Sequence, residues 1–338
     1  MGAEHSYLRF LGNFEYALAL SAIPMTTAKW DWESRIGRRV RLRDLHILSA
    51  VVRWGSMAKA AKRLAMSQSA VSEAIAGLED ALGVRLLERN AQGIEPTIYA
   101  EALLKRGDVV FDELRQGIKD IEFLADPTAG EIRVGCPEFL SVWLLPNVID
   151  RFSKQCPQVT IRVFQPDTRT LEFRELHERS VDLMLARLPA GFAHEELEIE
   201  ILSEDPHVVI AGNRSRWARQ RKISLADLTN ELWIVPPWVS VVTVLEEAFE
   251  AEGLSAPKER VVAASVYLRM HLVATGRFVT FFPEAGLRSI ARQFAVKVLP
   301  IKLRVKSRPL AVVRLKKRML SPVAQLFMEH LRAVVRST

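Results

Sequence analysis

Between Ser56 and Ile75 the chain reads SMAKAAKRLAMSQSAVSEAI, and no other run in its 338 residues restricts the fold so strongly. The pattern specifies a helix, a tight turn and a second helix. Ala58, Ala60 and Ala61 are small enough to let a neighbouring helix come close, and Leu64 and Met66 bracket the turn. Ser67 stands where a side-chain oxygen accepts a free backbone N–H of the next helix. From Val71 the apolar residues recur at Ile75, Leu78 and Leu82, which is one helical face. Ser69, Ser72, Glu73 and Ala76 are thereby turned outward. A second helix of such a pair that exposes small, hydrogen-bonding residues suits insertion into a DNA major groove.

Charge points the same way. The net charge is +7, and from Arg35 to Asn90 eleven Lys and Arg stand against five acids, so most of the excess lies on this segment. Such a patch neutralises phosphates and makes binding salt-dependent. Lys59, Lys62 and Arg63 fall on the first helix of the pair, which crosses the backbone in this motif. Helix one of the region is expected from Arg43 to Trp54, with Leu42, Leu45, Leu48 and Val52 inward. Gly83 stops the second helix of the pair, and short strands around Asn90-Ala91-Gln92-Gly93 suit a wing, with Arg89 and Gln92 within reach of the sugar-phosphate backbone.

The run from about Leu42 to Leu104 resembles the N-terminal domain of LysR-type transcriptional regulators. The match is carried by Ala60-Ala61-Lys62-Arg63-Leu64, Ser67-Gln68-Ser69-Ala70-Val71-Ser72, Leu78-Glu79, Leu82-Gly83-Val84, Leu87-Glu88-Arg89 and Thr97. The expected DNA-binding residues are Lys59, Lys62, Arg63, Ser67, Gln68, Ser69, Ser72, Glu73, Arg89 and Gln92. The chain departs from the family at Glu73, where a basic residue is usual. That carboxylate either accepts from a cytosine or weakens DNA binding. Ser69 replaces a frequent proline, Leu87 a phenylalanine, and Pro96 and Ala100 a leucine and a glycine.

Leu103, Gly107, Val110, Leu114, Gly117, Ile121 and Leu124 step by alternating fours and threes, a heptad seam on one helix from about Ile98 to Ala125. At 1.5 Å per residue that helix is roughly 40 Å long. A long helix between two globular parts has little of its own to cover this seam, so the expectation is dimerisation, and the resemblance implies the same linker helix. Asp126-Pro127-Thr128-Ala129-Gly130 breaks the helix and marks a hinge.

From Glu131 short apolar strands alternate with helices, which implies a mainly parallel sheet, and two such blocks in tandem imply two lobes with a cleft between them. In the family this is the effector-binding domain, similar to periplasmic solute-binding proteins. The resemblance is carried diffusely by Gly135, Leu144-Leu145-Pro146, Phe152, Pro157, Asp182, the run Ser224 to Leu228, Gly276 and Pro283. Ligands of such sheets sit at the carboxyl ends of strands. That rule selects Pro137, Glu138, Phe139, Leu140 and Ser141, then Arg187, then Trp238, Val239 and Ser240, then Val266 and Tyr267, and finally Phe282. Phe139, Trp238 and Tyr267 suggest a partly aromatic lining.

The expected architecture is therefore a two-lobed α/β effector domain at 130–338, preceded by an all-α winged helix-turn-helix at 38–97 and a linker helix at 98–126. Residues 1–37 resemble nothing recognisable and read as a flexible extension. The apolar patch from Tyr16 to Ile23 follows Glu15 and has no basic leader, so it reads poorly as a signal peptide. No stretch reaches the roughly 18 apolar residues of a membrane helix. Two cysteines, Cys136 and Cys156, make neither a disulfide framework nor a zinc site, and Cys136 reads as structural rather than redox-active. The seven histidines are scattered, and no HExxH, GxGxxG, Walker loop or GxSxG occurs. The expectation is a cytoplasmic regulator, not an enzyme, with no cofactor or metal. Its partners would be double-stranded promoter or operator DNA, a small-molecule effector, a second copy of itself in a homodimer or dimer of dimers, and, as the resemblance implies, RNA polymerase. Two other readings are a metabolite-binding protein whose helical domain mediates protein contacts only, and an enzyme on the two-lobed fold.

Overall fold

Helix α1 (Leu42–Trp54) ends at Gly55, whose left-handed backbone (φ 62°) a side chain would strain. The structure is a computed structural model, and it describes residues 37–90, 93–166, 171–237, 239–306 and 308–337. The expectation for residues 1–36 therefore lies outside the described residues. Within α1, Leu45 and Leu48 are buried and Val52 is half-buried, but Leu42 is exposed. Ile47 and Val51 are buried as well. The inward arc is wider than one stripe because α1 packs against α2, α3 and the wing together.

Helix α2 (Met57–Arg63) starts on Ser56, and helix α3 (Gln68–Leu82) on Ser67, whose hydroxyl accepts the Ala70 N–H at 3.2 Å. In the turn between them Ala65 takes a left-handed conformation at φ 52°, which costs a residue with a side chain about 1–2 kcal/mol. Gly83 ends α3 in the same conformation without that cost. Strands β1 (Leu87–Asn90) and β2 (Gly93–Pro96) pair antiparallel as the wing. Two of the residues that carry the family match turn out to be joints. Glu79 on α3 accepts the N–H groups of Leu86 (2.7 Å) and Leu87 (3.3 Å), and so fastens the wing to the helix. Thr97 donates to the Arg85 carbonyl at 2.8 Å and accepts the Ala100 N–H at 3.3 Å, which starts helix α4 (Ile98–Ala125). Ala100 is fully buried at that joint.

The chain divides into two compact units that part between Val110 and Phe111, inside α4. The second unit holds two five-stranded sheets. Lobe I is ordered β4-β3-β5-β12-β6, built from β3 (Ala129–Gly135), β4 (Gln158–Phe164), β5 (Leu183–Arg187), β6 (Leu197–Ser203) and β12 (Leu310–Leu315). Lobe II is ordered β11-β7-β10-β8-β9, from β7 (His207–Gly212), β8 (Leu232–Val235), β9 (Glu259–Val262), β10 (Phe278–Pro283) and β11 (Val296–Val298). The helices are α5 (Glu138–Trp143), α6 (Leu145–Gln155), α7 (Arg174–His177), α8 (Val239–Glu250), α9 (Val266–Ala274), α10 (Glu284–Phe294) and α11 (Pro322–Arg336).

The sheets are mixed rather than mainly parallel. Strand β3 is parallel to β4 and β5, but β12 runs antiparallel to β5 and β6, and β7 antiparallel to β10 and β11. Nor are the lobes simply in tandem, because β12 and α11 return to lobe I. Leu310 to Val313 are all fully buried, and only a central place between two strands covers both of their faces. The edge strand β6, the short α5 and the helix α10 were not expected from the sequence.

The part of α4 inside this unit is anchored to lobe I by buried charge. Arg318 donates from Nε to Asp112 at 2.7 Å, and from its terminal nitrogens to Asp112 (3.1 Å), Asp182 (2.9 Å) and the Val181 carbonyl (2.7 Å). Arg179 also pairs with Asp112 at 2.6 Å, and Arg133 with Asp182 at 3.0 Å. Burial alone would raise the Asp112 carboxyl, but the Arg318 charge and the hydrogen bonds from Arg179 and Arg318 outweigh it and hold it below its ordinary 3.8. Its contribution to stability is full above that value and is lost as pH falls below it. Arg318→Met should cost about 3–5 kcal/mol, since two carboxylates would stay buried with one partner removed. Urea unfolding at pH 7 measures this, and a loss under about 1 kcal/mol would mean that the network contributes little.

Candidate nucleic-acid interface and inter-lobe site

On α3, Val71, Ile75 and Leu78 are buried, and Gln68, Ser69, Ser72 and Glu73 are exposed. Lys59, Lys62 and Arg63 are exposed on α2. Ser67 and Ser69 share a hydrogen bond at 3.0 Å. Arg63 is less free than its exposure suggests, because its guanidinium stacks over the Trp54 ring at 4.6 Å. A surface cleft of about 640 Å³ runs between α3 and the wing, with Ser72, Ala76, Arg85 and Glu88 along it. Arg85 was not singled out in the sequence; its place immediately before the wing was the available signal. Arg89 lies in β1, but its side chain falls outside the described residues, as does Gln92 altogether.

The seam of α4 divides. Leu103 is half-buried against the helical core of the first unit and Gly107 is buried. Val110, Leu114, Gly117, Ile121 and Leu124 are exposed, Ile121 by 67% and Leu124 by 79%. Ile118 joins them at 57% exposed. It was missed, although it stands four residues from Leu114 and three from Ile121.

The lobes meet at the carboxyl ends of β3, β5 and β10. Phe139 on α5 packs edge-on against Phe282 at the end of β10 (5.3 Å between centroids), and Arg187 at the end of β5 lies 5.9 Å from the Phe139 ring. Leu140 is fully buried in the same core, and Val266 is buried. Pro137 is half-buried, and the Ser141 hydroxyl donates to the Glu138 carbonyl at 2.7 Å. The Glu138 carboxylate accepts the Val266 N–H at 3.0 Å from across the lobe boundary. Tyr267 is not gathered with these groups. It is 64% exposed and packs on His271 and Phe294. Trp238 lies outside the described residues, as do the side chains of Val239 and Ser240.

Two further residues belong to this contact and were not anticipated. Asp205 pairs with Arg187 and accepts the Ala285 N–H at 2.9 Å. Arg269, 3% exposed, lies 5.8 Å from the Phe282 ring. Its signal was the helical period: Val266, Arg269, Met270 and Val273 form one face of α9, and all four are buried. Burial lowers Arg269 to about 10, opposed by the charge of Glu138. Burial also pulls His207 down to about 3, helped by the charges of Arg187 and Arg308. Cys136 is fully buried, and burial pushes its thiol up, away from the thiolate a redox sensor needs.

A model of the LysR substrate binding domain matches residues 125–336, and one of the lysR-family bacterial regulatory helix-turn-helix matches residues 42–101. The HTH-type transcriptional regulator GbpR of Azospirillum brasilense is 28% identical over 297 residues, which covers 87% of this chain and 86% of that one. The transcriptional dual regulator GltC of Bacillus subtilis is 27% identical over 262 residues, covering 77% and 86%. Among solved structures, a full-length OxyR variant from Pseudomonas aeruginosa is similar with a TM-score of 0.61 at 21% identity, covering 88% of this chain and 94% of that one. CbnR complexed with its target DNA is similar with a TM-score of 0.58 at 23% identity, covering 87% and 99%. At these identities the two structures speak for the fold alone. Among the described residues no helix is long and apolar enough to cross a membrane.

The depressed histidine has a consequence for stability. His207 is neutral in the folded state down to about pH 3, whereas an unfolded histidine takes its proton near 6.5. Its stabilisation is therefore complete above 6.5 and is lost as pH falls toward 3, by up to about 1.4 kcal/mol per pH unit. His207→Gln should flatten the stability profile in that window. Urea midpoints at pH 7, 5.5 and 4 test this, and an unchanged slope would assign the acid sensitivity to other groups.

Proposed function

Because the chain belongs to the LysR family of transcriptional regulators, we propose that it reads a promoter or operator with the exposed face of α3 and is switched by a small molecule held between the lobes of its C-terminal domain. The observation that carries the first half is the division of α3 into a buried apolar face and an outward face of Gln68, Ser69, Ser72 and Glu73. Lys59, Lys62 and Arg63, on the preceding helix, supply phosphate contacts. CbnR, which has the same fold, is known in complex with its target DNA. The second half rests on the convergence of strand ends at the lobe boundary, where a ligand that prefers one lobe arrangement shifts the population of states. The effector class that suits the charged groups there is an organic acid. The regions proposed for these roles are 38–97 for DNA, 98–126 for the linker and 130–338 for the effector.

We further propose a homodimer, or a dimer of dimers, joined along the exposed end of the α4 seam, acting in the cytoplasm with RNA polymerase as its downstream partner. Leu114→Asp combined with Ile121→Asp should leave a folded but largely monomeric chain. Sedimentation that shows an unchanged oligomer would exclude this seam as the interface.

Base reading and phosphate contact should fail differently. Gln68→Ala should cost about 1–3 kcal/mol on the cognate site and relax preference at one base pair. Lys62→Ala should weaken cognate and random DNA alike and lower the salt slope by about one. Glu73→Arg separates the two roles left open for that carboxylate. If Glu73 only repels phosphate, the change tightens binding to every sequence; if it accepts from a cytosine, cognate affinity falls while non-specific affinity rises. Titrations on cognate and scrambled duplexes at two salt concentrations decide between them. No effect at Gln68, Ser72 and Glu73 together would favour a helical domain that makes protein contacts only.

A further inference from the structure

Outside residues 35–90 the chain is almost neutral: taking the six excess positive charges of that segment from the seven of the whole leaves one. Lobe II nevertheless holds a second concentration of one sign. Residues 213–223, which follow β7, carry Arg214, Arg216, Arg219, Arg221 and Lys222 and no acid. All five are exposed. Two neighbours extend the patch. Gly276 is pressed against the backbone of Arg214 and Ser215, with Arg277 exposed beside it. Lys297 on β11 donates from Nζ to the Ala218 carbonyl at 2.8 Å.

The segment is firmly held. Ser215 accepts the Trp217 N–H at 3.3 Å and starts a short 3-10 turn. Trp217 and Ile223 pack on the apolar cluster around Trp233 and Phe281, and the charged residues between them are turned to solvent. Arg216 pairs with Glu231 and stacks on Trp217 at 4.6 Å. Arg214, Arg219, Arg221, Lys222 and Arg277 have no ion pair among the described residues. Asp227, the nearest acid in sequence, is bonded to Ser224 at 2.8 Å. Other acids packed over the same cluster are gathered on α8 and just beyond it, at Glu246, Glu247, Glu250 and Glu252; Glu247 pairs with Arg308 and Glu252 with Arg304.

A surface that needs only solvation interleaves both signs. Like charges held this close repel one another, and an anion with several charges laid across them relieves the repulsion. Five of the seven cations are arginines, whose planar forks match phosphate oxygens two at a time. We propose that this patch of lobe II is a second contact for double-stranded DNA, which grips the phosphate backbone without reading bases. Duplex DNA is the polyanion that a regulator of this family meets, and its regular phosphates suit a set of fixed cations. The contact goes beyond base reading by α3 and does not depend on it. It adds affinity that is equal for every sequence and falls steeply with salt.

The test is the salt dependence of binding to a long random-sequence duplex, followed by fluorescence anisotropy with the full chain. Arg214→Gln, Arg219→Gln, Arg221→Gln, Lys222→Gln and Arg277→Gln together should lower the slope of log K against log salt by about 2–4, since each phosphate contact contributes about 0.9. The Tm should hardly move, because only exposed positions change. A control removes the same charge from lobe I by changing Arg151, Lys154, Arg162, Arg174 and Lys317, all exposed, to Gln. It should lower the slope by less than about 1. A fall of less than about 1 in the patch variant, or an equal fall in the control, would overturn the proposal. In the first case the fitting partner is an acidic protein surface instead. Should the five changes unfold the chain, Arg219→Gln with Arg221→Gln decides, with an expected fall of about 1–2 and an unchanged slope as the contrary result. Repeating the comparison in a chain that also carries Lys59→Ala, Lys62→Ala and Arg63→Ala separates this contact from the helix pair. The fall should persist there, so an error in the role given to α3 leaves this result standing.

Discussion

Arg318 decides which way the second half of α4 faces. Its guanidinium bridges Asp112 on that helix to Asp182 at the start of β5, both buried. Once Asp112 points inward, the residues one and two turns on, Gln116 and Lys119, follow it against lobe I, where Lys119 lies 3.8 Å from Asp182. The opposite face, Leu114, Ile118, Ile121 and Leu124, is left outward. Beside Phe123, which packs on the core, polar and charged side chains therefore take inward places that hydrocarbon usually holds, and an apolar stripe is left outside. Buried ion pairs add little net stability over a hydrophobic core, but removing one member is costly. Their effect here is orientation: the network holds the helix in the rotation that leaves its apolar stripe uncovered.

The same logic of paired charges operates between the lobes. Two helices of lobe II begin at the lobe boundary with a carboxylate on their first turns, Glu138 on α9 and Asp205 on α10. The buried Asp205 pairs with Arg187, which lies against the Phe139 ring, and Phe139 packs edge-on against Phe282. Buried charge is tolerable there because Arg187 and Asp205 satisfy each other.

In the helix-turn-helix unit, the scaffold and the outward face of α3 are carried by different residues. Glu79 and Thr97 hold the wing and the start of α4 through backbone hydrogen bonds and are not part of the outward face. Gln68, Ser69, Ser72 and Glu73 make that face, and their identity can change without disturbing the buried side of α3. This separation explains how Glu73 can depart from the usual basic residue in a domain whose scaffold is otherwise ordinary.

The helix pair, its serine caps, the glycine stop at Gly83 and the length of α4 were legible in the sequence because residues three or four positions apart determine them. The strand ends that meet between the lobes were legible in part, since Glu138, Phe139, Arg187, Val266 and Phe282 follow from strand order alone. Other features needed the folded chain. No local pattern sends β12 back to lobe I, turns Tyr267 outward, or covers Leu103 while leaving Leu124 bare. Those outcomes depend on partners distant in sequence: 49 residues separate Arg133 from Asp182, 128 separate Glu138 from Val266, and 206 separate Asp112 from Arg318. Periodicity says which residues share a face; only tertiary packing says what that face meets, because burial is a property of both surfaces in contact.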